Sequence, residues 1–119
     1  MLYAFLCYNN EAVVNSWTKE EDDAVMAKLD VVHRKHAAKM GPALRLMPTT
    51  TATTLMKERD LILDGPYAET KEALLGFYIL DCASLEEAHG VARELAQANP
   101  GGAYEVRPVR LYVPGAGFE

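Results

Sequence analysis

The sequence predicts an α+β fold of the ferredoxin-like, split βαβ kind, and three observations lead there. The runs Leu2 to Tyr8 and Leu74 to Cys82 are apolar on both alternating faces, as strands at the centre of a sheet are. Two other segments, opening at Thr18 and at Ser84, start with capping-box spacing and continue with apolar residues at helical intervals. In chain order the elements read strand, helix, hairpin strands, strand, helix, strand. That order places a mostly antiparallel sheet under two helices on one face.

Each element has its own reason. In the first strand Leu2, Ala4 and Leu6 point one way and Tyr3, Phe5 and Cys7 the other, and Asn9-Asn10 break the run. Thr18 and Glu21 cap the first helix reciprocally, and the acidic run Glu20 to Asp23 sits where the helix dipole favours negative charge. Val25, Leu29, Val32, His36 and Met40 form its expected buried stripe, and Gly41-Pro42 is expected to end it. Leu44 to Met47 is a short strand candidate, interrupted by Pro48. The Thr-rich stretch from Thr50 to Lys57 and the run Leu61 to Leu63 read as a hairpin around Glu58-Arg59-Asp60. Asp64-Gly65-Pro66-Tyr67 is the sharpest turn, and Ala68 to Ala73 is read as a single helical turn. The second helix runs through about Ala98 with Leu85, Ala88, Ala92, Leu95 and Ala96 inward, and Asn99-Pro100-Gly101-Gly102 ends it. Tyr104 to Val113 is the last strand, where Pro108 indicates an edge or a bulge. Residues 1–113 are thus expected to be one domain and 114–119 a loose tail.

Composition narrows the function. The chain has 119 residues, half of them hydrophobic but only 8% aromatic, so its core must be mainly aliphatic. Both helices lie on one sheet face, while the two central strands are apolar on both. The chain lacks a second layer, and a symmetric dimer, sheet to sheet, would supply it. A net charge of −5 argues against nucleic acid, which needs a concentrated basic surface. The longest basic stretch is Arg34-Lys35. Cys7 and Cys82 sit in apolar runs, as free thiols of a reduced, cytoplasmic protein do. The apolar N-terminus has no basic n-region and is too short to span a bilayer, so no membrane role is expected.

Candidate chemistry is sparse. His33 suits general acid–base work because an unperturbed imidazole titrates near neutrality. His33 and His36 lack further soft donors for a metal, so none is expected. His36 belongs to the apolar stripe. Asp64-Gly65-Pro66 is explained by turn chemistry alone, whereas Glu69-Thr70-Lys71-Glu72 is not. A pocket rim built from Asp64, Tyr67, Glu69 and Lys71 is the functional reading of that segment. Glu105 and Arg107 share a face of the last strand, and the Arg107 fork could bind a carboxylate or phosphate. Nothing in the sequence places a base beside Cys7. With no Gly-rich phosphate loop, no cofactor is expected.

Asp64-Gly65-Pro66-Tyr67-Ala68-Glu69-Thr70-Lys71-Glu72 resembles the signature of the YCII-related proteins of the DGPF type, with Tyr67 in place of the usual Phe. Pro48 with Thr51-Ala52-Thr53-Thr54, Gly76-Phe77-Tyr78 and Glu105-Val106-Arg107-Pro108-Val109 resemble the neighbouring family segments. The resemblance runs from the first strand to Arg110. It implies a ferredoxin-like protomer of the dimeric α/β-barrel superfamily, in bacterial, cytosolic proteins often encoded near sigma factors. For the broader group it also implies a His–Asp acid–base pair, with the His early in the first helix and the Asp before a Pro closing the second. Here Asn99 precedes Pro100, and His33 and His36 lie in the second half of their helix.

The expectation is therefore a homodimer that binds a small molecule, or an acid–base enzyme, with its site at the sheet and dimer interface. His33 and Asp64 are its catalytic candidates, and Tyr67, Glu69, Lys71 and Arg107 its ligand-binding ones. A small hydroxylated or cyclic substrate is the fold-level analogy. The competing expectation is a non-catalytic regulatory or protein-interaction module associated with sigma-factor-linked transcription.

Overall fold

A computed structural model describes residues 1–116. Strand β1 (Leu2–Asn10) is followed by a short helix α1 (Glu11–Asn15) and the long helix α2 (Lys19–Lys35). Next come β2 (Met40–Arg45), a 3-10 turn at Thr49–Thr51, and the hairpin strands β3 (Thr53–Met56) and β4 (Leu61–Asp64). Strand β5 (Glu72–Asp81), helix α3 (Leu85–Ala98) and β6 (Ala103–Pro108) complete the order. The main sheet runs β2-β5-β1-β6 with every neighbouring pair antiparallel, while β3 and β4 form a separate two-stranded sheet. This is the split βαβ arrangement: each long helix crosses over one intervening strand.

The central strands are β1 and β5, the two that are apolar on both faces. In β1, Tyr3 and Phe5 turn toward the helices, and Leu80 does so from β5. They pack with Leu29 of α2 and with Ala88, Val91, Leu95 and Ala98 of α3. Helix α3 thus presents four buried residues to the sheet and α2 only one. The small side chains of α3 let it lie close, which closes the core at that end.

Several local expectations need correction. Asn10 is not only a strand breaker: its side-chain oxygen accepts from the backbone N–H groups of Ala12 and Val13, and so starts α1. Helix α2 stops at Lys35, short of Met40, because Met40 already pairs with Leu80 in the sheet. Gly41 and Pro42 sit inside edge strand β2 at a register shift, where a missing N–H is tolerated. Residues 68–71 form no helical turn but lead straight into β5. The last strand ends at Pro108, and Leu85 and Ala96 of α3 face solvent. In the tail, residues 114–116 have no regular structure, and 117–119 lie outside the described residues.

Two glycines allow close approaches. Gly76 lies between Arg45 of β2 and Cys7 of β1, and a Cβ there would stand 2.2 Å from the Leu44 carbonyl oxygen. Gly102, with φ of 73°, would place a Cβ 2.0 Å from the Tyr8 carbonyl oxygen. Gly76→Ala is therefore expected to lower unfolding stability by about 1–3 kcal/mol, the usual cost of overpacking. Leu95→Ala, which empties a fully buried position, is expected to cost about 2–5 kcal/mol. Urea titration measures both; unchanged midpoints would contradict this packing.

Candidate functional site

The looser packing under α2 leaves a cavity of about 200 Å³ between that helix and the sheet. The Thr18–Glu21 capping box sets the phase of α2: the Glu21 N–H donates to Thr18 Oγ1 at 3.1 Å and the Thr18 N–H to Glu21 Oε1 at 3.2 Å. With that phase Asp22, Met26, Leu29 and His33 fall on the row facing the cavity. The floor is Gly76, which has no side chain to fill the space. Just before it, the pairing of β1 and β5 slips between Cys7 and Tyr8, and Leu75 of the slipped segment also lines the cavity. Tyr78 on β5, Tyr104 on β6, Cys7 on β1 and Asn99 at the end of α3 supply polar tips in otherwise apolar walls.

These tips form a connected set. His33 Nε2 lies 3.0 Å from the Tyr78 hydroxyl, with the two rings edge to face at 5.2 Å. The Tyr78 and Tyr104 ring centres are 6.4 Å apart. Asn99 Nδ2 donates to the Tyr104 hydroxyl at 3.1 Å and sits 3.9 Å from Cys7 Sγ. Burial lowers the His33 pKa below 6.5 against the opposing pull of Asp30. It also pushes Tyr78 up to about 12 and raises Tyr104 and the Cys7 thiol. All four groups are thereby kept neutral at neutral pH.

At the mouth, Arg45 on β2 grips Asp22 through two hydrogen bonds, of 2.8 and 3.2 Å. The guanidinium holds the Asp22 carboxyl below its usual range, and Asp22 in turn reinforces the charge on Arg45. The cavity mouth therefore carries a charge pair with no net charge.

A second, larger concavity of about 830 Å³ lies at the base of the β3–β4 hairpin. Tyr8, Met47, Pro66, Glu69 and Glu72 help to line it, and the Glu11 carboxylate there accepts from the Thr49 backbone N–H and, at 2.6 Å, from its hydroxyl. The Gly65 N–H donates to the Ala52 carbonyl at 2.7 Å and Thr54 Oγ1 to the Gly65 carbonyl at 2.8 Å, so one backbone bond and one hydroxyl bond hold the Asp-Gly-Pro turn.

Of the residues singled out from sequence, His33 lines the cavity and Glu69 lines the groove. Asp64 at the end of β4, Tyr67 and Lys71 are exposed beside the groove. Arg107 is exposed on β6, opposite Ala4 and paired with Glu105, on the sheet face away from His33. The fold of the single chain thus does not bring His33 together with Asp64 or Arg107. Sequence reasoning missed Tyr78, Tyr104, Arg45 and Asp22, and read Cys7 as core only. The signal for the tyrosines was available: each falls on the inward alternation of its strand, and a buried phenol needs a polar partner. Among the described residues no three His, Cys, Asp or Glu side chains gather as a metal site. No helix there is long and apolar enough to cross a membrane.

Fold and site together define a ferredoxin-like α+β chain with a small cavity of no net charge between helix and sheet. The chain belongs to the YCII-related family: the family model for the YCII-related domain matches residues 1–112. It is 58% identical to an uncharacterized protein of Rhizobium meliloti (strain 1021), over 97% of each chain. Its fold is similar to that of the 5-chloro-2-hydroxyhydroquinone dehydrochlorinase of Burkholderia phenoliruptrix AC1100, solved in complex with 2,5-dihydroxybenzoquinone. That match has a TM-score of 0.56 and 15% identity, and covers 92% of this chain and 94% of the other. At that identity the likeness is one of fold.

The His33 environment predicts a pH dependence. Because its folded pKa lies below the ordinary 6.5, the unfolded chain takes up the proton first as pH falls. Stability is full above 6.5 and declines as pH drops through the lowered folded value. Asp22, Glu87 and Glu94, whose folded values are lowered from 3.8, 4.5 and 4.5, act in the same direction but in a more acidic window. His33→Gln should therefore flatten the urea midpoint between about pH 7 and 5 while leaving the acid limb in place. A wild-type profile no steeper than the variant's in that range would contradict the burial argument.

Proposed function

We propose that the protein binds a small, uncharged, single-ring molecule bearing hydroxyl or oxo groups in the cavity under α2, and acts on it by acid–base chemistry. One observation carries the reading: a neutral His33, bonded to Tyr78 at 3.0 Å, stands on the wall of an apolar cavity of about 200 Å³. An apolar cavity of roughly 150 Å³ in another protein holds benzene, so the space here suits one substituted ring. The neutralised Arg45–Asp22 pair gives no net attraction for anions. The dehydrochlorinase of similar fold is known with a hydroxylated quinone, a ring of that size. Of the sequence candidates, His33 is assigned the acid–base role.

The same proposal includes a homodimer. Leu2, Ala4, Leu6, Phe77 and Ile79 leave an apolar outer sheet face only partly covered. The hairpin exposes the cross-strand pair Leu55 and Ile62, 53% and 68% accessible, although a lone two-stranded hairpin is marginally stable in water. The radius of gyration, 15.7 Å, exceeds the roughly 13.5 Å of a compact chain of this length. A second copy covering the outer face and the hairpin accounts for all three. It would also meet Arg107, and the exposed Asp64, Tyr67 and Lys71 beside the hairpin base.

Thermal unfolding against a panel of phenols, catechols and hydroxyquinones tests the site, because a ligand that binds only the folded state raises the melting point. Wild type should shift by several degrees with at least one ring compound, and Leu29→Trp, which fills the cavity, should not. No shift across the panel would sink the reading. Light scattering tests the dimer. Wild type should have twice the protomer mass at micromolar concentration and Ile79→Asp or Ile62→Asp about half of that; a monomeric wild type refutes it.

A further inference from the structure

We infer that the cavity is chemically polarised: Tyr78 relays a proton from a ring hydroxyl to His33, while Tyr104, supported by Asn99, donates a hydrogen bond to an oxygen elsewhere on the same ring. The inference rests on the ring-binding reading above and names its substrate class as a cyclic enol or phenol that also carries a carbonyl-type oxygen.

The direction of each hydrogen bond gives the polarity. Between His33 Nε2 and the Tyr78 oxygen, the imidazole nitrogen is much the better acceptor and the phenol the better donor. With His33 neutral and its proton on Nδ1, the tautomer this proposal assigns, the Tyr78 O–H donates to Nε2. That leaves the Tyr78 oxygen with lone pairs on the cavity side, able to accept from a ligand O–H. At the other end Asn99 Nδ2 occupies the Tyr104 oxygen as a donor at 3.1 Å. The Tyr104 hydroxyl keeps its own proton, turned toward Cys7 or, with a ligand present, toward a ligand oxygen. An amide N–H pointing at a phenol oxygen also makes that phenol a better donor.

The proton step balances. The ligand O–H passes its proton to the Tyr78 oxygen as Tyr78 passes its own to His33 Nε2. Tyr78 ends neutral, His33 ends as imidazolium, and the ligand becomes an enolate or phenolate. The negative charge spreads through the ring onto the second oxygen, where the Tyr104 hydroxyl meets it. Burial opposes the imidazolium while Asp30, on the same helix as His33, favours it, so the ligand anion formed beside it supplies the remaining stabilisation. The preorganised donor at one end and acceptor at the other lie between apolar walls, where such interactions are stronger than in open water.

p-Nitrophenol is a suitable probe, since it carries an ionisable hydroxyl and a distal oxygen pair, and its phenolate is yellow. Calorimetry measures its binding, and absorbance measures its ionisation at a pH below its own pKa. Bound to wild type, its phenolate fraction should rise about tenfold over free probe, the effect of one pKa unit. Tyr78→Phe, which removes only the hydroxyl, should retain binding and lose the yellow band; His33→Gln provides the same readout by removing the final acceptor. Tyr104→Phe should weaken nitrophenol up to about tenfold and leave unsubstituted phenol, which has no distal oxygen, unaffected. Binding without ionisation in wild type, or ionisation that survives in Tyr78→Phe, overturns this inference and leaves the ring-binding reading standing. No binding of nitrophenol, phenol or any panel compound overturns both.

Discussion

The site depends on the unequal way in which two helices cover one sheet. Helix α3 puts Ala88, Val91, Leu95 and Ala98 against Phe5 and Leu80, and its alanines let the backbone come close. Helix α2 contributes Leu29 as its one buried residue, in a chain poor in large aromatics. Close packing normally forbids a void of this size, because every missing contact loses dispersion energy. Here the space is retained by backbone geometry. Gly76 cannot carry a side chain without meeting the Leu44 carbonyl, so the β2–β5 pairing itself keeps the floor empty. The same residue that lets the edge strand approach also leaves the cavity open above it.

That space is expensive for charge and tolerant of neutral polar groups. His33, Tyr78, Tyr104 and Cys7 all shift in the direction that keeps them uncharged, and burial is the first cause in each case. Among the described residues no fully buried side-chain polar atom lacks a partner. An amide at position 99 fits this setting. Asn99 supplies a donor without a charge. The one ion pair on the cavity, Arg45 with Asp22, stands at the mouth, where water still screens it.

Much of the fold was legible because local rules and global topology agree in this chain. The two-sided apolar runs of β1 and β5 mark them as central, the prolines Pro42 and Pro108 fall on the two edge strands, and the Thr18–Glu21 capping box and the Ser84 N-cap place the starts of α2 and α3, although the Glu87 carboxylate accepts from the Ala83 N–H and so closes no second box. Helix ends were less legible. Gly41-Pro42 carries a stop signal, but the helix had already ended because Met40 was needed opposite Leu80, a long-range demand that periodicity does not reveal. The cavity was less legible still. His33 could be named from its chemistry alone, whereas Tyr78 and Tyr104 look like ordinary core residues until two strands bring their hydroxyls under one helix. Cys7 shows the same limit: its neighbours Asn99 and Tyr104 are distant in sequence. The groups singled out in the Asp64 to Glu72 segment lie by the hairpin, on a part of the surface that the cavity does not reach.

Strand β5 ties the two halves of the molecule together. Successive residues alternate across it, so Phe77 and Ile79 belong to the outer face while Tyr78 between them reaches His33. A strand with solvent on one side can twist and shift by small amounts, and the 3.0 Å contact between Tyr78 and His33 has little tolerance for that. A second copy laid on the outer face would clamp Phe77 and Ile79 and so hold the Tyr78 hydroxyl in line with Nε2, without contributing a side chain to the cavity. The proposed dimer and the proposed acid–base site would then be coupled through the pleat of a single strand. The partly covered apolar face and the cavity are, in this view, consequences of the same arrangement: both long helices lie on one side of the sheet, and the linked His33, Tyr78 and Tyr104 side chains lie on that side.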